Sequence, residues 1–320
     1  IEDASKCANN PIGTGPFTMK SWDSNNLDVV ANPNYWRTDP SNPSVKLPYL
    51  DEIKFTNIKE SSQRAASVRK GTIDAAMFSG GGDGTFIKDL RLRKSVVTEY
   101  KSPNEYYAAL WLNTNSDPTK NGIAENPFSN LNARLAVASC IDRVNYNKVR
   151  LKGEGEVPTS LVGVNNVMYT QNGFIPFNVS KAKQYVAAYK ADTGKSELAF
   201  SAPADTSSQY QANMKFLQAT FKTCDINMSI DVMENALILA KVFDAKTGQN
   251  DFMANYANPL EGTDASFNMP FLVSNSYPAG STNPAARAFS TSLGGLLNIT
   301  HHSDTTIDDA FYNGKATTSK

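Results

Sequence analysis

Few residues of this chain have the types and spacing that catalysis needs. The 320-residue sequence contains two histidines, His301 and His302, which are neighbours in a polar stretch. Adjacent imidazoles rarely chelate one ion, because the histidine ligands of protein metal sites are usually spaced apart along the chain. No nucleophile elbow, His-Glu-x-x-His or P-loop sequence is present. We therefore expect no catalytic residue, metal or cofactor, and we expect both histidines to lie in a solvated loop.

Residues 80–85 form a glycine-rich stretch that could be mistaken for a phosphate-binding loop. A P-loop ends in Gly-Lys-Ser/Thr, whereas here Gly84 is followed by Thr85 and the first basic residue is Lys88. The sequence therefore favours a flexible loop that leads into a helix over 85–93.

Two aromatic residues could line a binding surface. Tyr107 and Trp111 lie on a predicted strand over 106–113, and because side chains alternate along a strand, both project from the same face. They could form a stacking wall for a ligand, or they could pack into a core, where most large aromatic side chains are found. The sequence leaves both roles open.

The elements that would position these residues change in character along the chain. Near the start, turn-forming residues at 23–26 separate two alternating runs, which predicts a hairpin. We expect its aromatic residues Trp22, Tyr35 and Trp36 to be buried. Strands dominate the first third, whereas helices and strands alternate afterwards, as in mixed α/β folds. The later predicted elements are a helix over 61–70, strands over 73–78, 95–101 and 106–113, a helix over 131–151 capped by Asn130, a helix over 180–190, a strand–helix–strand unit over 197–201, 208–222 and 226–233, a helix over 235–244, a strand over 251–256 and a last helix over 305–312.

The composition excludes some partners and leaves the cysteines ambiguous. Basic and acidic residues number 31 each, which gives no reason to expect a nucleic acid as partner. No apolar run approaches the ~20 residues that a membrane span needs, and no signal peptide is visible. The cysteines are Cys7, Cys140 and Cys224, an odd number. Cys140 lies on an apolar helical stripe and is expected to be a buried free thiol, whereas Cys7 could pair outside this chain.

Four sequence blocks occur in the same order as in a known family. The first combines Gly-Thr-Gly-Pro-Phe at 13–17 with Asn-Pro-Asn-Tyr-Trp at 32–36, and the second is Pro-Tyr-Leu-Asp-Glu-Ile at 48–53. The third lies within 61–76 and the fourth within 127–143. On these blocks the chain resembles the peptide-type (family 5) extracytoplasmic solute-binding proteins of ABC transporters, the relatives of the oligopeptide-, dipeptide- and nickel-binding proteins.

The resemblance implies an α/β, periplasmic-binding-protein-like fold with two lobes (type II, cluster C). Residues 1–105 would form part of a β-rich first lobe, and 106–320 a mixed α/β second lobe. Relatives carry a targeting sequence and further residues before the first block, and they continue past the point where this chain stops. We therefore expect a fragment that lacks both ends.

The same resemblance implies a binding protein rather than an enzyme. It would capture peptides or similar polar solutes outside the membrane, as a monomer, and deliver them to an ABC permease. Relatives are periplasmic or tethered to the membrane as lipoproteins. The alternatives are the same fold binding nickel chelates or oligosaccharides and, from another class, a peptide or glycan hydrolase, which the lack of a nucleophile–histidine pair disfavours.

The resemblance also indicates where the ligand would bind. In relatives, second-lobe contacts often come from the segment that here runs over 256–264, which begins with Tyr256. This segment has Asn-Pro where relatives often have Asp-Pro, and it lacks their tryptophan. Its carboxylates, Glu261 and Asp264, could supply the negative charge that a peptide ammonium needs, or they could lie in a solvated turn. Together with Tyr107 and Trp111, these residues are the predicted ligand-binding set.

Overall fold

The computed structural model describes residues 11–78, 83–93, 97–100, 109–115, 125–160, 169–171, 173–242, 252–257 and 298–316. By its internal contacts the chain divides into two compact units, Ile1–Ser67 and Val68–Lys320. The lobe boundary predicted near residue 105 falls outside the described residues and stays a prediction. Cys7 also lies outside them.

The first unit is built from short antiparallel strands: β1 (Phe17–Trp22), β2 (Asn26–Ala31), β3 (Thr38–Asp39), β4 (Asn42–Lys46) and β5 (Glu52–Thr56). The strands β1, β2 and β5 form one sheet in that order, and β3 pairs with β4 in a separate ribbon. The Asp23 carboxylate accepts hydrogen bonds from the backbone N–H groups of Asn25 and Asn26 and closes the turn between β1 and β2. The predicted hairpin is therefore confirmed.

A β-bulge between Met19 and Ser21 interrupts the ladder between β1 and β2. Beyond it Trp22 pairs with Leu27, so the Trp22 side chain lies on the same face of the sheet as Phe17 and Met19. The bulge thereby collects the apolar side chains on one face. The opposite face carries mostly polar side chains, among them Thr18, Ser21, Asp28, Glu52 and Lys54.

The expectation that the hairpin's tryptophans are buried is wrong. The exposed fractions of Trp22 and Trp36 are 67% and 70%, and Tyr35 is half-buried. The Arg37 guanidinium lies 4.7 Å from the centroid of the Trp36 ring, a cation–π contact at the surface. The Tyr35 and Trp36 rings also lie near each other, with centroids 6.2 Å apart.

The second unit is mixed α/β. Its elements, starting from a helix that crosses the boundary between the units, are α1 (Ser61–Lys70), α2 (Gly84–Arg91), β6 (Ala109–Leu112), a 3-10 turn (Pro127–Ser129), α3 (Leu131–Cys140), α4 (Arg143–Arg150), α5 (Val179–Thr193), β7 (Leu198–Ala204), α6 (Ser208–Lys222), β8 (Ile226–Val232), α7 (Asn235–Val242), β9 (Ala254–Ala257) and α8 (Thr305–Ala316). None of these described helices is long and apolar enough to cross a lipid bilayer.

Three predicted elements are wrong. The strand predicted over 95–101 is not formed in its described residues, 97–100. Residues 73–78 form no strand, because after Gly71 the described chain continues without pairing to another strand. The single helix predicted over 131–151 is two helices, α3 and α4, separated at Ile141. The break arises because Asp142 caps a new helix, its carboxylate accepting a hydrogen bond from the Asn145 N–H. The Asn130 cap is confirmed, since its side chain accepts from the N–H groups at 132 and 133.

The core of the second unit surrounds a parallel βαβ unit. The strands β7 and β8 pair in parallel and α6 connects them, as predicted. Phe128, Phe200 and Phe221 meet edge-to-face, with ring centroids 4.9 and 5.8 Å apart. The helices α3, α5 and α6 contribute buried side chains to this cluster. This packing holds β7 and α6 together, and the candidate site lies where β7 ends and α6 begins.

A disulfide joins Cys140 to Cys224, with an S–S distance of 2.01 Å. The expectation of a free thiol at Cys140 is therefore wrong. The bridge links the end of α3 to the turn that precedes β8, and both cysteines are fully buried. The pairing was not visible in the sequence because the cysteines are 84 positions apart and only the packing of α3 against α6 brings them together.

Candidate functional site

The candidate site lies at the edge of the second unit where β7 and β9 end. The strand β9 packs beside β7 and pairs antiparallel with β6, so that Ala257 lies opposite Ala109. The first turn of α6, which follows the carboxyl end of β7, contacts the end of β9, because the Tyr210 hydroxyl donates a hydrogen bond to the Tyr256 carbonyl. In open α/β sheets, ligands bind outside the carboxyl ends of the strands.

Three of the predicted residues, Tyr107, Glu261 and Asp264, lie outside the described residues. In the sequence, Tyr107 precedes Ala109 by two positions, and the segment with Glu261 and Asp264 follows Ala257. Their binding roles stay predictions.

A tyrosine cluster, formed by Tyr146, Tyr210 and Tyr256, fixes the end of β9. The Tyr146 and Tyr256 hydroxyls are 2.7 Å apart, and the Tyr210 and Tyr256 rings meet edge-to-face with centroids 5.2 Å apart. The Asn213 side-chain amide donates to the Tyr256 hydroxyl over 3.5 Å. Burial raises the pKa of all three hydroxyls above the usual tyrosine value, so the cluster is neutral at physiological pH.

Two predicted residues that are described, Trp111 and Tyr256, are both buried, with exposed fractions of 8% and 5%. Trp111 pairs with Asn255, so its side chain shares a face with Asn255 rather than with Tyr256. Trp111 packs in a small cluster that includes Ile238 and Phe252. Tyr256 packs in the core and its hydroxyl takes part in the hydrogen bonds given above. The ligand-binding roles of Trp111 and Tyr256 stay predictions.

Sequence reasoning missed Asn255. This asparagine is buried in β9, and its side-chain oxygen accepts no hydrogen bond within the described structure. A buried acceptor without a donor costs free energy, which a ligand N–H group could recover. The signal in the sequence was an amide at a strand position between the apolar Ala254 and the aromatic Tyr256.

A separate cavity of about 470 Å³ lies at the opposite end of β7. The start of β7, the end of α5 and the 3-10 turn line it, and the Lys195–Glu125 ion pair (2.7 Å) crosses its rim. Neither of the two described predicted residues, Trp111 and Tyr256, lines this cavity.

The remaining candidates from the sequence are the two histidines and the glycine-rich stretch. His301 and His302 are half-buried rather than solvated, because their loop is held against the end of β6, where the Thr114 N–H donates to the Thr300 carbonyl over 2.7 Å. Burial lowers the pKa of His301. Within the described ranges, no three His, Cys, Asp or Glu residues group as metal ligands do.

Of the glycine-rich stretch, residues 80–82 lie outside the described chain. Gly84 packs against the Leu151 carbonyl, where a Cβ atom would clash.

The comparisons with known proteins decide the family. Residues 2–279 match the family model described as "Bacterial extracellular solute-binding proteins, family 5 Middle". This chain belongs to family 5 of the bacterial extracellular solute-binding proteins. The family predicted from the sequence blocks is thereby confirmed. No curated protein sequence is significantly similar to this family 5 chain.

Solved structures of similar fold support the assignment. The periplasmic binding protein DppA from Helicobacter pylori, in complex with the peptide STSA, has a TM-score of 0.74 at 19% identity, covering 97% of this chain and 53% of its own. NikA from Staphylococcus aureus, in complex with Ni(L-His)2, has a TM-score of 0.67 at 16% identity, covering 99% of this chain and 59% of its own. MoaA from A. tumefaciens R10, in complex with mannopinic acid, has a TM-score of 0.70 at 15% identity, covering 96% and 55%.

These likenesses confirm the predicted fold class, an α/β periplasmic-binding-protein-like fold. The family 5 chain spans a little over half the length of the structures that it matches.

Proposed function

We propose that this family 5 protein is the substrate-binding component of an ABC importer. It captures peptides or similar polar solutes outside the membrane, as a monomer, and delivers them to a permease. The observation that carries the proposal is the family match over residues 2–279. The peptide in the H. pylori DppA structure favours a peptide ligand, whereas nickel–histidine in NikA and mannopinic acid in MoaA keep chelates and other polar solutes as alternatives.

The buried disulfide supports a location outside the cytoplasm. Disulfides persist in oxidising compartments such as the periplasm and are rare in the cytosol. The Cys140–Cys224 bridge therefore fits an extracytoplasmic protein, either periplasmic or tethered as a lipoprotein.

The polar side chains described at the edge where β9 ends suit ligand binding rather than catalysis. They include the tyrosine cluster, whose hydroxyls are neutral, and the buried Asn255 oxygen, which can accept a hydrogen bond. Such groups orient a solute, whereas a peptide or glycan hydrolase needs a nucleophile beside a base or paired carboxylates. We therefore place the ligand here, with Tyr107, Trp111, Tyr256, Glu261 and Asp264 around it.

Native mass spectrometry of the protein purified from its source tests the proposed function. A co-purified peptide is the expected result, because a closed binding protein releases its ligand slowly. A nickel chelate or an oligosaccharide in its place would overturn the peptide ligand and leave the binding function intact. Turnover of peptides or glycans by the pure protein would overturn the binding-protein proposal itself.

Calorimetry with a free and an N-acetylated peptide then tests the predicted anchors. A charge-assisted contact contributes roughly 1.5–3 kcal/mol, so we expect either Glu261→Gln or Asp264→Asn to weaken binding of the free peptide about 10- to 150-fold. The acetylated peptide should bind weakly to all forms. If neither substitution matters, neither carboxylate is the ammonium anchor.

A further inference from the structure

Arg150, the last residue of α4, has a guanidinium group held in one orientation by uncharged partners. Its Nε atom donates to the Asn213 side-chain oxygen over 2.8 Å, and its Nη2 atom donates to the Gln209 side-chain oxygen over 3.2 Å. Both amides belong to the first two turns of α6. Asn213 is buried and also donates to the Tyr256 hydroxyl, so the guanidinium is connected to the tyrosine cluster at the end of β9.

The charge of Arg150 is not neutralised within the described chain. No described carboxylate forms an ion pair with it, whereas Arg91 pairs with Glu99 and Glu154. Asp205 is also near the start of α6, but one of its oxygens accepts hydrogen bonds from the Ser207 N–H and hydroxyl. Arg150 is half-buried, so an anion bound to it would be partly shielded from water.

The hydrogen bonds of Arg150 leave enough donors for a two-point contact. A guanidinium has five N–H donors, of which the two amide oxygens use two. The remaining three include both donors of the Nη1 atom, and a carboxylate can accept two N–H groups at once. The partial positive charge at the start of α6 adds to the attraction for an anion. Oriented neutral partners and a cation that pairs with no described carboxylate together make an anion-binding group rather than a structural ion pair.

We propose that Arg150 binds a carboxylate group of the captured solute. The inference rests on the proposed function and deepens it, because it selects solutes that carry a carboxylate.

Calorimetry with trialanine and trialaninamide tests the proposal. The unmodified protein should bind trialanine at least about 10-fold more tightly than the amide. Arg150→Gln should weaken trialanine binding about 10- to 150-fold and leave trialaninamide unchanged, and Arg150→Lys should lose part of the preference because an ammonium lacks the guanidinium fork. Lys148→Gln removes the same charge from an exposed position of α4 and should change neither ligand more than about twofold.

If Arg150→Gln keeps the preference for the acid, the proposal is wrong. If trialanine does not bind the unmodified protein, the peptide ligand of the proposed function fails, and a second measurement decides on Arg150 alone. Phenylglyoxal modifies exposed guanidinium groups, and peptide mapping gives the rate at each arginine. Succinate or acetate should slow the modification of Arg150 more than chloride does at equal ionic strength.

Arg143 is the internal control for this second measurement. It lies at the other end of α4, donates to the Ile175 carbonyl over 3.1 Å and is half-buried like Arg150. Its rate of modification should not distinguish carboxylates from chloride. Equal protection of both arginines, or none, would overturn the carboxylate site. Selective protection of Arg150 by succinate or acetate would identify a free organic acid as a source of the carboxylate.

Discussion

In the unit Ile1–Ser67 the strands β1, β2 and β5 pair through backbone hydrogen bonds. Among its described residues, Ala65 is the only apolar residue that is buried from solvent. In the unit Val68–Lys320 the βαβ unit is enclosed by helices, and aromatic rings meet in its interior. Strand pairing depends on neighbours in the sequence, whereas burial needs surfaces that are distant along the chain. The two units therefore separate the contribution of strand pairing to stability from the contribution of burial.

The largest expected difference between the units concerns two phenylalanines. Phe221 is fully buried and Phe55 is 52% exposed. Phe221→Ala should destabilise the second unit by roughly 3–5 kcal/mol, because it removes buried contacts and leaves a cavity. Phe55→Ala should cost the first unit less than about 1 kcal/mol. Urea unfolding followed by hydrogen exchange reports on each unit, and equal losses would contradict the comparison.

Removing the disulfide should affect one unit only. Cys140 and Cys224 are 84 positions apart, and cross-links of such loops typically stabilise by ~2–5 kcal/mol. In the double variant Cys140→Ala/Cys224→Ala, amide exchange in β7 and β8 should accelerate accordingly. Amide exchange in β1 and β2 is the internal control and should not change. Faster exchange throughout the chain would show that the two units unfold together.

Two glycines differ in whether their backbone conformation requires glycine. Gly194 ends α5 with φ at +70°, where a Cβ atom is disfavoured. Gly194→Ala should therefore cost the second unit about 1–2 kcal/mol. Gly15 has no positive φ, and a Cβ atom there would meet only the Phe17 carbonyl oxygen, at 3.9 Å, so Gly15→Ala should stay within about 0.5 kcal/mol. Thermal melting of both variants measures the difference, and a large loss at Gly15 would refute it.

The smallest expected effect is a local titration in the first unit. The Tyr49 hydroxyl donates to the Asp39 carboxylate over 2.6 Å, and mainly this bond lowers the pKa of Asp39 to about 2. Since this pKa is lowered, the contribution to stability is complete above the usual aspartate pKa of ~3.9 and is lost as the pH falls through about 2.

Carbon-detected NMR should give an Asp39 midpoint near 2 that moves towards the usual value in Tyr49→Phe. Tyr35→Phe leaves the Tyr49 hydroxyl in place and should leave the midpoint unchanged. An unshifted midpoint in Tyr49→Phe would assign the lowered pKa to other partners.

The features that could be predicted from the sequence are those encoded locally. The turn at Asp23, the Asn130 cap and the helix over 208–222 depend on adjacent residues, and the structure has them as predicted. The cap at Asp142 is also local, but the apolar stripe that continues past it favoured one long helix. The Cys140–Cys224 bridge depends on packing between α3 and α6, which no local pattern encodes.

The candidate site also has features that the sequence could predict and features that it could not. The sequence blocks identified the family, which the family match confirms, whereas the ligand segment after β9 stays a prediction. The burial of Asn255 and the uncharged partners of Arg150 depend on how β9, α4 and α6 meet, so a linear pattern could not indicate them.

The bulge between Met19 and Ser21 also makes β1 tolerant of changes in length. Lys20 has no cross-strand partner in the register, and its side chain reaches Glu52 over 2.9 Å instead. Loss of this one residue would leave a regular ladder in which Trp22 still faces Leu27. The strand can therefore lose a residue here, and the side chains beyond the bulge keep their faces. In a regular strand, deletion of one residue would exchange the polar and apolar faces beyond it. Here the deletion would affect only the bulge at Lys20.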